Sequence, residues 1–216
     1  MPLFSFARKH KMPVEQIEKL HSALDRYPLF DPPHQNNASD LSKEAAEENF
    51  RYVMDSRSTR RVSLAEFFAS FGVTLTLEDK GVEAVSAWIA EFGSALVDSP
   101  QSDAAMRTFM HFATPWIGEQ RGLNVVFDLS TFFGDAVIAR NSRLRWKLLR
   151  GAPSDGISVM SGLFIIGQKT GRFIDPVEMT YMRFMNIFNE HNYLPKSRWS
   201  ISRPQGFLQA VIGHSR

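Results

Sequence analysis

Arg143, Arg145 and Lys147 alternate with Leu144, Trp146 and Leu148, and a period of two is that of a strand with one face in a core and the other in solvent. The pattern sets three fixed cations about 6.6 Å apart on the outer face, an interval that suits the phosphates of a nucleic acid strand or the carboxylates of an acidic protein. Arg140 and Arg150 extend the row at either end. Trp146 falls on the inward face, so the cationic face lacks the aromatic platforms on which single-stranded bases stack. We therefore expect Arg140, Arg143, Arg145, Lys147 and Arg150 to contact an acidic protein partner, with nucleic acid disfavoured. The plainer role for such residues is to guard a sheet edge against pairing with other chains.

Other residue types yield less. Gly162 to Thr170 approaches a phosphate-binding loop, but Gln168 separates Gly167 from Lys169 and the stretch between the glycines is apolar and strand-like, whereas phosphate binding needs a loop whose lysine follows the glycine directly. His10, His21, His34, His111, His191 and His214 include no pair four residues apart, so no two imidazoles share a helix face as metal ligands. His21 and His111 suit partly buried helix positions, and Glu44, Glu47 and Glu48 suit a solvated helix face. No Gly-x-Ser-x-Gly elbow occurs, and cysteine is absent, which removes thiolate nucleophiles and disulfides and fits a reducing cytoplasm. No cofactor, no metal and no catalytic residue is expected.

Asp128 and Asp135 stand seven residues apart on a predicted helix, about 10 Å along its axis, which is wide for a paired acid and base. An enzyme would have to assemble its site from dispersed residues, Asp128, Asp135, His111 and Glu119 foremost, and this is the alternative to the binding reading. A third reading is a structural subunit of a homo-oligomer, pairing through apolar surface at Trp88, Trp116 and Trp199. The oligomeric state is left open.

Of the 216 residues, 44% are hydrophobic, enough for a packed core. No apolar run approaches the roughly 20 residues that cross a bilayer, and Arg8, Lys9 and Lys11 follow the first apolar residues, the reverse of a secretory signal. The chain is expected to stay where it is made, without entering a membrane. The net charge of +2 conceals an imbalance: residues 140 to 216 hold 12 lysines and arginines against 4 acids, a surplus of 8, leaving 13 against 19, a deficit of 6, in residues 1 to 139. Such a division serves either an outward basic surface or neutralisation of one half by the other.

These side chains need elements to hold them. Pro13 to Arg26 places Val14, Ile17, His21 and Leu24 on one helical face, with Pro13 at the first helical position. The prolines and asparagines between Tyr27 and Asp40 predict an irregular loop. Ser42 starts a second helix through Ala46, Phe50 and Val53, and Arg57, Arg60 and Arg61 mark a polar break. Ser63 with Glu66 forms a capping box for a helix striped with Leu64, Phe67, Phe68 and Phe71 and closed by Gly72. Thr76 caps the next helix, so residues 63–97 read as a helical hairpin. Met106 to Phe112 predicts a helix ending before Pro115. Val125, Leu129, Phe132, Ala136 and Ala139 stripe a long helix that feeds the cationic strand. A turn at Gly151 to Gly156 and a second strand at Ile157 to Ile166 complete a hairpin. Asp175, Pro176 and Glu178 open a last helix.

The run Phe132-Phe133-Gly134-Asp135-Ala136-Val137 followed by Leu144-Arg145-Trp146-Lys147-Leu148 resembles a glycine-containing helix feeding a tryptophan-bearing strand in bacterial domains of unknown function. The resemblance implies an interaction or immunity-like module and supplies no catalytic residue. Together these readings predict an α+β chain, helix-rich in the N-terminal two thirds with a small antiparallel sheet in the C-terminal third. It forms a single domain over 1–216, divided into an N-terminal helix and loop (1–40), a helical part (41–122), and a helix, hairpin, helix and tail (123–216).

Overall fold

A computed structural model of the chain describes residues 12–36, 40–97, 100, 102–148, 164–167, 173–192 and 213. Helices dominate: α1 (Val14–Asp25), α2 (Lys43–Ala69), α3 (Asp79–Leu96), α4 (Asp103–Met110), α5 (Gly122–Arg140) and α6 (Pro176–Asn192), with a 3-10 turn at Gly118–Gln120. The strands are short: β1 (Arg145–Leu148), β2 (Phe164–Gly167) and β3 (Phe173–Ile174). β1 pairs with β2 in antiparallel register, Trp146 opposite Ile166, and β2 pairs with β3. The turn expected at 151–156 and Trp199 lie outside the described residues.

α5 is the axis of the core. Every residue from Gly122 to Gly134 is buried, so the helix is enclosed on all sides rather than along one stripe, as befits an element covered from several directions. The stretch Gly118–Arg140 is long and apolar enough to cross a bilayer, contrary to the expectation from run length, but 89% of its most apolar window is buried inside the protein. Its entry is tight: a Cβ on Gly122 would lie 1.7 Å from the Leu96 carbonyl oxygen, so only glycine lets the start of α5 meet the end of α3. Ala139, expected in the apolar stripe, is exposed where the helix leaves the core.

α2 corrects the sequence reading most. It runs unbroken for 27 residues through the expected break at Arg57–Arg61 and through the supposed capping box, so Ser63 is a helix-interior residue. Arginine is a good helix former, and the charges that suggested solvent are taken up by α5. The true start is at Ser42, whose Oγ accepts the Ala45 N–H at 3.2 Å. The end is as expected: Gly72 adopts a left-handed φ of +75° and the Val73 N–H returns to the Phe68 carbonyl at 3.0 Å. α3 starts at Asp79 with no side-chain cap, not under Thr76. In α6, Asp175 Oδ1 accepts the N–H groups of Val177 and Glu178, each at 3.0 Å.

α1 is rotated from its expected face. Leu20, Ala23 and Leu24 are buried, whereas Val14 is 70% exposed and His21 lies in solvent. The chain after it, Tyr27 to His34, is a strap drawn across α2 and α5. Phe30, fully buried, stacks on Phe127 at 3.9 Å and on Trp116 at 5.5 Å between ring centroids. Aromatic pairs of this kind add about 0.5–1.5 kcal/mol beyond area burial.

Candidate functional site

The strap carries no regular structure, so its backbone groups need other partners. Asn124 supplies them first. Its Oδ1 accepts the Phe30 N–H at 2.7 Å, and its amide donates to the carbonyls of Trp116 at 2.9 Å and Arg121 at 2.8 Å. Asn49 closes the far end, accepting the His34 N–H at 3.0 Å and donating to the His34 carbonyl at 2.8 Å. Arg60 fills the middle, donating through Nη1 to the Leu29 carbonyl at 2.9 Å.

Arg60 also reaches Asp128. Its Nε donates to Oδ1 at 2.7 Å, while the Tyr27 hydroxyl donates to Oδ2 at 2.6 Å. The carboxylate is 1% exposed and Arg60 8%, so no substrate reaches either group in this conformation. Burial pushes the Asp128 carboxyl up against the pull of Arg60 and Tyr27, and burial together with the Asp128 charge pushes the Tyr27 phenol well up. A phenol held protonated is a donor, not a nucleophile. This cluster is a lock between strap, α2 and α5.

Seven residues on, Asp135 meets different company. Oδ1 accepts Arg57 Nη1 at 2.8 Å and the Trp146 indole N–H at 3.0 Å, and Oδ2 accepts Arg61 Nη1 at 3.4 Å. The Arg57 guanidinium lies 5.9 Å from the Trp146 ring centroid, within cation–π range. Here α2, α5 and β1 converge at the surface, with two guanidiniums sharing one carboxylate.

The five cations predicted to face a partner divide. Arg143 and Arg145 are exposed, but only Arg145 is in the strand: Arg143 lies in the turn before β1, where its N–H donates to Asn141 Oδ1 at 3.1 Å. Arg140 is committed elsewhere: Nη2 donates to Asp79 and Nη1 to the Ala136 carbonyl at 2.7 Å. It therefore ties α5 to the start of α3, neutralised by the acidic part of the chain. Lys147 is half-buried and already engaged within the fold, and Arg150 lies outside the described residues.

The dispersed enzyme set does not assemble. Asp128 is sealed in the lock, Asp135 is bound to arginines, His111 ends α4, and Glu119 is exposed in the 3-10 turn; no hydrogen bond or ion pair joins any two of their side chains. Trp88 and Trp116 are 3% and 0% exposed, so neither offers apolar surface to a second subunit, and Trp199 lies outside the described residues. Among the described residues no group of three or more His, Asp or Glu is placed to hold a metal. Residues 164–167, between the glycines of the near phosphate loop, are strand.

Arg57, Arg60 and Arg61 were missed as functional candidates because their polarity suggested a break. A signal existed: positions i, i+3 and i+4 share a helix face, and Asp128 and Asp135, two turns apart, offer a face of opposite charge. No family model, curated protein or solved structure matches this chain.

Proposed function

We propose that this protein is a non-enzymatic binding protein whose basic surface, centred on Arg143 and Arg145, engages an acidic protein partner. In this reading the α+β architecture matters through its small antiparallel sheet, whose first strand carries Arg145 outward, with Arg143 in the turn that leads into it. An immunity-like role, in which a small protein neutralises a partner by covering it, fits the same surface.

One observation carries the reading. Of the arginines on and against α5, Arg57, Arg60, Arg61, Arg121 and Arg140 hold carboxylates, whereas Arg143 and Arg145, just beyond its end, are exposed and form no ion pair among the described residues. Exposed charges of one sign steer association and select against partners of like charge.

Fluorescence anisotropy with labelled octaglutamate tests this. Binding that weakens as salt is raised toward physiological strength, with no binding of octalysine, is the expected result. A flat titration at low salt would overturn the reading. A short single-stranded oligonucleotide bound more tightly than the peptide would transfer the surface to nucleic acid and overturn the protein-partner assignment.

A further inference from the structure

We infer that Arg57 and Arg61 of α2 belong to the contact surface, and that Asp135 occupies them as an internal stand-in for a carboxylate of the partner. The inference rests on the acidic-partner reading and extends it from β1 onto a helix.

The charge count at this junction is the starting point. Two guanidiniums face a single carboxylate, so one positive charge is left over even when every bond at Asp135 is made. Asp135 is 10% exposed while the side chains of Arg57 and Arg61 are 31% and 45% exposed; the anion is inside and the cations form its rim. Asp128 shows what a satisfied site looks like in this protein, with a single arginine, itself buried, and a tyrosine hydroxyl closing the second oxygen.

The bonds at Asp135 are also unequal. Arg57 is fixed twice, at 2.8 Å to Oδ1 and over the Trp146 ring. Arg61 reaches Oδ2 only at 3.4 Å, near the limit of a hydrogen bond, and is the more exposed of the two. Arg61 is therefore the member that can turn to an incoming carboxylate, which arginine binds through two parallel N–H groups. Trp146 marks the face of β1 on which this site lies: its indole N–H donates to Asp135 and its ring faces Arg57, while Arg145, the preceding residue in the strand, points to the opposite face. The partner that fits is an acidic segment presenting several carboxylates, one of which takes Arg61 from Asp135.

An internal competitor has a signature that a merely structural ion pair lacks. Removing the Asp135 charge should strengthen binding, while removing the arginines should weaken it. Asp135→Asn preserves size and keeps an oxygen for the Trp146 N–H. With labelled octaglutamate as the probe, Asp135→Asn should tighten binding about threefold, and Arg57→Gln with Arg61→Gln should loosen it about tenfold and cancel that gain, as expected for charge pairs at a partly desolvated surface. Arg61→Gln alone serves if the double substitution lowers the thermal midpoint. Binding by Asp135→Asn equal to or weaker than wild type overturns the inference. If Arg143→Glu with Arg145→Glu abolishes binding and the α2 substitutions change nothing, the inference falls and the β1 reading stands. If the α2 substitutions weaken binding and the β1 reversal does not, the α2 site is supported and the β1 reading falls. If neither wild type nor Asp135→Asn binds the peptide, both fall.

Discussion

Asp128 and Asp135 stand two turns apart on one helix, each held by arginines from α2, and their surroundings give them opposite roles. Asp128 sits in the core with Arg60 and Tyr27, both oxygens bonded and water excluded. Asp135 sits at the end of the same contact, where α5 rises out of the core beside β1, with more positive charge around it than it can neutralise. The residue types are nearly the same. Depth decides that the first pair fastens the fold and that the second lies within reach of a partner, because an ion pair stripped of water cannot lose one member without leaving an uncompensated charge, whereas an exposed one can exchange its counter-ion at little cost.

The largest expected effect breaks the buried side of this comparison. Asp128→Ala should destabilise the protein by about 3–5 kcal/mol, since it strands the Arg60 guanidinium among apolar groups; urea denaturation reads this as a fall in midpoint. Restoring neutrality by Asp128→Leu with Arg60→Met should recover most of that loss, and no recovery would mean that the bonds from Arg60 to the strap, rather than the ion pair, hold this region.

Tyr27→Phe should cost about 1–2 kcal/mol by removing the donor to Asp128 Oδ2. It should also alter the alkaline limb of stability. Tyr27 is raised well above the usual phenol range, and burial pushes Tyr181, which donates to the Pro100 carbonyl at 2.7 Å, up to about 12. A group with a raised folded pKa contributes stability that is whole below the unfolded value and is lost as pH rises through the folded one. Stability is therefore expected to hold below about pH 10 and to fall above it, and Tyr27→Phe and Tyr181→Phe should each flatten that fall when denaturation midpoints are followed against pH.

The smallest effect sharpens the other side. Asp135→Asn should change stability by about 1 kcal/mol in thermal melts, because the Arg57 and Arg61 side chains it leaves behind reach water and the amide keeps an oxygen for the Trp146 N–H. A loss as large as that of Asp128→Ala would show that the two sites are equivalent locks.

Much of the helical frame was legible in single residues. The cap at Ser42, the left-handed turn at Gly72 and the start at Asp175 are local devices whose chemistry is complete within a few residues, and each stands where the sequence places it. The continuity of α2 was not legible, because Arg57, Arg60 and Arg61 look solvated until their partners, some seventy residues away, are in place. The rotation of α1 had the same origin: Leu20 and Ala23 are chosen over Val14 by what α1 packs against. At the candidate site, outward placement of Arg145 followed from a period of two, but Arg143 lies in a turn ahead of β1, and the diversion of Arg140 to Asp79 is a tertiary event that spacing does not encode.

The most direct test is the affinity of labelled octaglutamate for a variant carrying Arg143→Glu and Arg145→Glu, with the thermal midpoint confirmed as unchanged. If these two arginines form the contact, affinity should fall at least about tenfold, the scale of charge reversal at an electrostatic contact. Affinity equal to wild type in a folded variant would contradict that assignment.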